Sequence, residues 1–393
     1  MRIARSRASV CYGLCLSVLL LGIGGCEKES TPVSTAPKAT APPQLDISQV
    51  SAEADNLWQN GNHVLSKVET ESAALKAAVD SFIAEPAQPS LAQAQSAWLS
   101  AFVAYRHFYF FYFLGQASPN QFEKLASLHY RIAANPIQPG YLDAFGPYLY
   151  SGLVHDIGVE MNAENLVQQN GLTNSEDVTL GLYALHFMLF GIANDRSYAD
   201  YTAVNTLTAL DKEQGFNSTA ELPHNRRRAL LQLQAQILVE DVRHLKYSWN
   251  STDAGSLMTH WQELKPQQKL KVTTKTLRQG LTQLIIDVAE INKIENKTEV
   301  GEIPADEGPF TDADEFYYSN FVMPDKKAFV ELAVKSLISA TPVLPEQQHN
   351  SVNDALTNII AKLNGENTSG DTSEVWSAVY ENLKLAVDSL STV

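Results

Sequence analysis

The sequence predicts an all-α protein built as two helical-bundle domains in series, and three observations carry that expectation. Apolar residues recur every three to four positions over several long segments, as one buried helix face requires. Proline and glycine clusters punctuate those segments at their ends. No useful length of chain alternates polar and apolar residues with the period of two that a half-buried strand shows. The chain has 393 residues, 45% of them hydrophobic, which is enough to bury a large core. Its formal charge of −15 excludes the basic footprint of a nucleic-acid binder. With Gly 20, Pro 17 and Cys 3, it is neither collagen-like nor a cysteine-stapled scaffold.

Arg2, Arg5 and Arg7 precede an uncharged apolar stretch, residues 8–25, that runs into Ile23-Gly24-Gly25-Cys26. A cationic start, an apolar run and small residues before a cut make a secretory leader, residues 1–25. Cys26 directly after two glycines resembles a bacterial lipobox, which implies cleavage before Cys26 and lipidation of that residue. The run is short for a membrane span and broken by glycine, which disfavours an uncleaved anchor. Glu27 resembles a signal for the outer rather than the inner membrane. Cleavage would remove Cys11 and Cys15, so the body would have no intrachain disulfide, cysteine nucleophile or Cys-ligated zinc site. Residues 26–48, rich in Thr, Pro, Ala and Ser, read as a tether.

The first bundle domain is expected over residues 49–215. A helix over residues 51–85 has its apolar face at Ala54, Leu57, Leu65, Val68, Leu75, Val79 and Phe82, and Pro86 and Pro89 end it. A second long helix spans residues 91–114 and becomes almost wholly aromatic after Trp98, a composition that belongs in the middle of a bundle. A shorter helix follows over residues 120–133 and carries His129. Pro136 and Pro139-Gly140 lead to a bent, glycine-interrupted helix over residues 141–157. Ser175, followed by two acids, reads as the N-cap of a helix over residues 176–192. A short helical segment over residues 201–210 and a linker over residues 217–223 close this half.

The second domain is expected over residues 216–393. Residues 225–249 form an amphipathic helix with Leu230, Leu233, Ile237, Val242 and Leu245 inward, behind Arg226–Arg228. Helices follow over residues 257–264 and 272–294, then 325–340, 346–363 and 371–390. Between them, residues 299–321 read as an irregular acidic loop, long enough to attract functional interest. Its acids suit a hard cation but lack EF-hand spacing, so an exposed connector is preferred. Similar helix numbers in the two halves leave open a duplicated up-down bundle.

The sharpest local feature is Gly181-Leu182-Tyr183-Ala184-Leu185-His186. Tyr183 and His186 are three apart and share a helix face. Among apolar neighbours, His186 would stay neutral unless an acid or metal partnered it, and a core histidine with one hydrogen bond is the plainer reading. His155 and Asp156, near Glu160, could serve an oxyanion or a metal, or simply face solvent. Glu240, Asp241 and His244 have helical spacing but read as a solvated face crowded by Arg243 and Lys246. His-Glu-x-x-His, Walker and Gly-x-Ser-x-Gly motifs are all absent.

The segment at residues 181–191, which ends Phe187-Met188-Leu189-Phe190-Gly191, is similar to the Gly-x-His-x-x-Glu frame of the imelysin-like family. These are bacterial envelope proteins once described as insulin-cleaving metallopeptidases and associated with iron uptake. In that frame the family histidine falls on Tyr183 and the family glutamate on His186. Trp98-Leu99-Ser100-Ala101 resembles a second family stretch, whose arginine falls on Phe102 and whose glutamate falls on Tyr109. Glu315-Phe316-Tyr317-Tyr318-Ser319-Asn320 faintly resembles a family loop without its histidine. The resemblance implies two helical bundles with the motif near the groove between them.

The departures decide the expected chemistry. A phenol and an imidazole replace a metal ligand and a carboxylate base, so neither peptidase activity nor tightly bound metal is expected at the motif. His186, His155 and Asp156 stand as weak metal candidates. Tyr183, His186, Tyr109 and His155 are the candidates for lining a ligand groove. The reading is therefore a non-enzymatic lipoprotein facing the periplasm, outer membrane favoured, that binds a ligand or an iron-uptake partner. Its alternatives are a hydrolase with a rebuilt metal site and a structural envelope lipoprotein. Protein purified without chelator is expected to carry no stoichiometric metal. Metal that is present and lost in His186→Ala would overturn this reading.

Overall fold

The computed structural model describes residues 46–145, 148–192, 194–299, 323, 325–365 and 372–390, with the side chains of 295–299 outside that set. The leader, Cys26, nearly all of the tether, and the acidic loop with Glu315–Asn320 lie outside the described residues. What is described is all-α, a largely helical-bundle architecture of two lobes in series. None of its helices is long and apolar enough to cross a membrane.

The first helix, α1 (Ile47–Ala84), is 38 residues long, roughly 57 Å at 1.5 Å per residue. Asp46 caps it, accepting from the amides of Ser48 and Gln49. Its buried stripe packs against α2 (Gln88–Arg106) and, through Trp58, against a much later helix. The chain then makes two single turns, α3 (Tyr109–Tyr112) and α4 (Leu114–Ala117), before α5 (Pro119–Ala133).

The expected continuous helix to residue 114 is thus broken at His107–Phe108. At the break the Phe110 amide donates to the Ser336 hydroxyl at 3.0 Å, and that hydroxyl donates to the His107 carbonyl at 2.8 Å. A side chain more than 200 residues away therefore satisfies backbone groups that a continuous helix would have paired.

The bent helix expected over 141–157 is replaced by a 3-10 turn, Pro139–Tyr141, and irregular chain. Arg226, buried rather than solvated, supplies the alternative bonds. Its guanidinium donates to the carbonyls of Leu153, Val154 and Val159 at 2.7, 3.0 and 2.8 Å, and also to that of Asp156. The sequence reading missed α6 (Ala163–Gln169), although Asn162 caps it and Glu164 follows in its first turn.

Ser175 does not cap the next helix. α7 (Gly181–Phe190) starts six residues later, at a glycine with φ of 86° whose absent Cβ would strike the carbonyls of Arg131 and Ile132. Gly191, also at positive φ, ends α7. In place of the helical segment expected over 201–210 stand a 3-10 turn, Tyr198–Tyr201, and α8 (Ala209–Glu213).

α9 (Pro223–Asn250) lies on α1, α5 and α7, so the helix expected to open the second domain packs against elements of the first half. Trp58 and Trp249 stack at 3.7 Å, and each indole N–H donates to the other's backbone carbonyl, at 3.2 and 3.1 Å. α10 (Leu257–Glu263) adds Trp261 to this stack, 4.9 Å from Trp58. The second lobe is α11 (Pro266–Glu299), α12 (Lys326–Ile338), α13 (Glu346–Asn364) and α14 (Thr372–Ser389), in which α11 packs on α14 and α13 on both α12 and α14. α11 and α12 also reach α3 and so join the lobes.

Gly61 on α1 faces the Trp249 indole so closely that an added Cβ would overlap it. Helix propensity alone favours alanine there by about 1 kcal/mol. Overpacking opposes it, and Gly61→Ala is expected to lose about 1–3 kcal/mol net. Thermal unfolding checks this, and an unchanged or higher Tm would show that the tryptophan pair yields freely.

Candidate functional site

Where α11 and α12 meet α2, α3, α5 and α7, the structure holds a partly open cavity of about 420 Å³. Aromatic side chains form much of its wall: Phe102, Tyr105, Tyr109, Tyr112, Phe113, Tyr130, Tyr183 and Phe329. Arg106, Gln116, His129, Asn135, Gln283 and Asp287 supply polar atoms.

Arg106 is the last residue of α2 and only 6% exposed. Its guanidinium carbon lies 3.7 Å from the Phe329 ring centre and 4.4 Å from that of Tyr109. Nε donates to the Phe329 carbonyl at 3.3 Å. Nη2 is buried without a hydrogen-bond partner and lies 3.9 Å from an Asp287 carboxylate oxygen. Asp287 in turn accepts from the Gln283 amide at 2.9 Å. Burial raises the Asp287 carboxyl above its ordinary range, against the opposing pull of Arg106 and Gln283.

The phenols are neutral and largely committed. Tyr109 donates to the Gly280 carbonyl at 3.1 Å, and Tyr112 donates to the Tyr105 carbonyl. Tyr105 is hydrogen-bonded to His129 Nδ1 at 2.9 Å. Burial raises the Tyr105, Tyr109, Tyr112 and Tyr183 phenols well above their usual value. Burial, assisted by Arg106, lowers the His129 imidazole to about 4, so the ring is neutral near pH 7.

Of the residues singled out from sequence, Tyr183 and Tyr109 both reach this cavity. His186 lies on the same helix as Tyr183 but not among the lining residues. Its ring is stacked on Phe190 at 4.3 Å and meets Trp98 edge-on at 4.4 Å. His155 and Asp156 belong to another cluster. There, buried Asp143 binds Arg227 at 2.6 and 3.0 Å and Arg196 at 3.1 Å, with His155 3.6 Å away. Burial would raise the Asp143 carboxyl, but its hydrogen bonds and the two arginines outweigh burial and hold it well below the ordinary range. Asp156 accepts from the Gly158 amide at 2.9 Å in a local turn.

Asp241 is not on a solvated face; it is buried and paired with Arg131 at 2.7 Å, whereas Glu240 and His244 are exposed. The sequence reading missed Arg106, His129 and Asp287 as site residues. Arg106 did leave a trace, as the one Asp, Glu, Lys or Arg between Trp98 and Phe113.

The donor set does not fit the metal that the resemblance implies. The three positions matching the family's acids and histidine hold Tyr109, Tyr183 and His186, of which two are neutral phenols and one is a ring wedged between aromatics. Among the described residues, no group of three or more His, Cys, Asp or Glu side chains is placed to hold a metal ion.

The family model described as Imelysin matches residues 64–297. The crystal structure of a protein from Parabacteroides distasonis named as an iron-regulated protein A precursor is similar in fold, with a TM-score of 0.57 at 15% identity. The match covers 90% of this chain and 97% of that one. No curated protein sequence matches the chain.

His129 makes the folded state sensitive to acid. Its folded pKa of about 4 lies below the ordinary 6.5, so the unfolded chain binds the extra proton first. Its contribution is present above pH 6.5 and is lost as pH falls toward 4, by roughly 3 kcal/mol at the limit. Chemical denaturation at pH 7 and pH 4.5 is expected to show a smaller loss in His129→Gln than in the unsubstituted chain. An equal loss in both would remove His129 as the cause.

Proposed function

The chain belongs to the imelysin family, and from that premise we propose a non-catalytic envelope protein that binds a small ligand in the cavity at Arg106 and serves iron uptake. The observation that carries this reading is the cavity itself. A scaffold protein would close such a space with side chains, whereas this one keeps about 420 Å³ lined by a buried guanidinium and several phenols. The neutral residues in the motif argue against peptide hydrolysis, because no carboxylate base accompanies a metal ligand.

The iron-regulated name of the similar structure supports the physiological half of the proposal, as does the leader-like sequence of residues 1–25 before Cys26. On this reading Cys26 carries the lipid and the body faces the periplasm, with the outer membrane favoured. Its partners would be iron-uptake proteins of the same envelope. Lys, Glu and other polar residues just after Cys26 would let the tether hold the body away from the lipid surface.

A strain lacking this chain is expected to grow more slowly when iron is limiting, with growth restored by the complete gene. Cys26→Ser is expected to move the protein from the membrane to the soluble fraction and to restore growth poorly. Purified protein is expected to leave peptide substrates intact with and without divalent metal. Metal-dependent cleavage, or unimpaired growth without iron, would overturn the proposal.

A further inference from the structure

We propose that Arg106 anchors a small monocarboxylic acid whose apolar or aromatic body lies against the rings of the cavity. The inference rests on the reading that this cavity is a ligand site and names the ligand's class.

The accounting of donors leads to it. The phenols of Tyr109 and Tyr112 already donate to backbone carbonyls, and Tyr105 is engaged with His129. Arg106 is different: only its Nε has a carbonyl, and Nη2 is buried with none. A charged N–H left without an acceptor in the interior costs on the order of 1–3 kcal/mol or more. Asp287 at 3.9 Å is outside hydrogen-bond distance and is partly occupied by Gln283. Nη2 has no surface open to the cavity as it stands, so a ligand oxygen would supply the missing acceptor once the guanidinium turns toward it.

The shape of the group narrows the ligand further. The Phe329 and Tyr109 rings crowd the guanidinium, and the paired N–H groups of its edge match a carboxylate. Arg106 already has Asp287 3.9 Å away, so a ligand carboxylate has to compete with that acid for the guanidinium, and a second ligand charge would meet still less counter-charge in this aromatic cavity. The volume of about 420 Å³ falls within the range of small-molecule sites, roughly 300–1,000 Å³, and the aromatic walls suit a flat or apolar body. A cation is disfavoured by Arg106, and the neutral, committed phenols leave little for a metal ion.

Equilibrium dialysis of the full-length chain in detergent tests this, with radiolabelled benzoate, salicylate and lactate as probes. Uncharged benzamide and inorganic phosphate are the comparisons. At least one acid is expected to bind saturably at one site, with benzamide failing to compete. Arg106→Gln is expected to weaken that acid about tenfold or more, and Arg106→Lys to recover only part of the loss. Since Arg106→Gln could disturb folding, circular dichroism accompanies it and Asp287→Asn provides an independent arm. Benzoate has no O–H to offer Asp287, so removing that negative charge is expected to tighten its binding.

Absence of saturable binding by all three acids would overturn the proposal. So would equal affinity in folded Arg106→Gln, or no tightening in Asp287→Asn. Preferential binding of phosphate would overturn the carboxylate assignment. Acid binding in a chain that gives no iron-dependent growth effect would separate the two readings: the physiological role would fall and the ligand class would stand.

Discussion

A buried guanidinium has to find electrons, and in this protein that demand fixes where the two lobes meet. Arg106 ends α2 inside an aromatic stretch from which it cannot reach bulk water. α12 answers with the Phe329 carbonyl and ring, and α3 adds the Tyr109 ring. Each cation–ring contact of this desolvated kind is worth about 0.5–2 kcal/mol. Ser336, two turns along α12, takes up the backbone groups at His107 and Phe110. The break between α2 and α3 and the attachment of the second lobe are therefore one structural event. The cavity is the space left beside that event.

A second set of buried arginines organises the irregular half of the first lobe. Arg226 gathers carbonyls from residues 153–159, and Arg227 clasps Asp143 with both nitrogens of its fork. Both arginines sit on the first turn of α9, so a rigid helix dictates the path of a segment that has little helix of its own. Such pairs need excellent geometry to offset the desolvation of their charges. Here Asp143 has two arginines and a histidine, which explains why its carboxyl stays ionised at full burial.

The long helices were legible because their stability comes from a continuous apolar face, and a face of that kind is written in the spacing of Leu57, Leu65, Val68, Leu75 and Phe82. What stayed hidden depended on partners far along the chain. Nothing near His107 announces Ser336, and nothing near Leu153 announces Arg226. The late start of α7 follows from the carbonyls of Arg131 and Ile132 lying against Gly181. The site divides the same way. Tyr183 and Tyr109 could be placed by their positions in a motif frame, but Asp287 and His129 look like ordinary helix residues until the fold brings them beside Arg106. Arg106 itself was readable, since a charge within Trp98–Phe113 must either reach water or be partnered in the core.

The neutral residues of the motif and the charge on Arg106 belong to one electrostatic argument. A site that keeps acids at its core attracts cations and can hold a metal. In the family frame a glutamate falls on Tyr109 and a histidine on Tyr183, so the phenol at 109 takes one negative charge out of the cavity, and burial keeps both phenols from ionising. Asp287 is then the one acid lining the cavity among the described residues, and its own burial pulls it toward the neutral form. Protonation there would leave the guanidinium as the dominant charge in a space of low polarity, where its field is screened far less than at a surface.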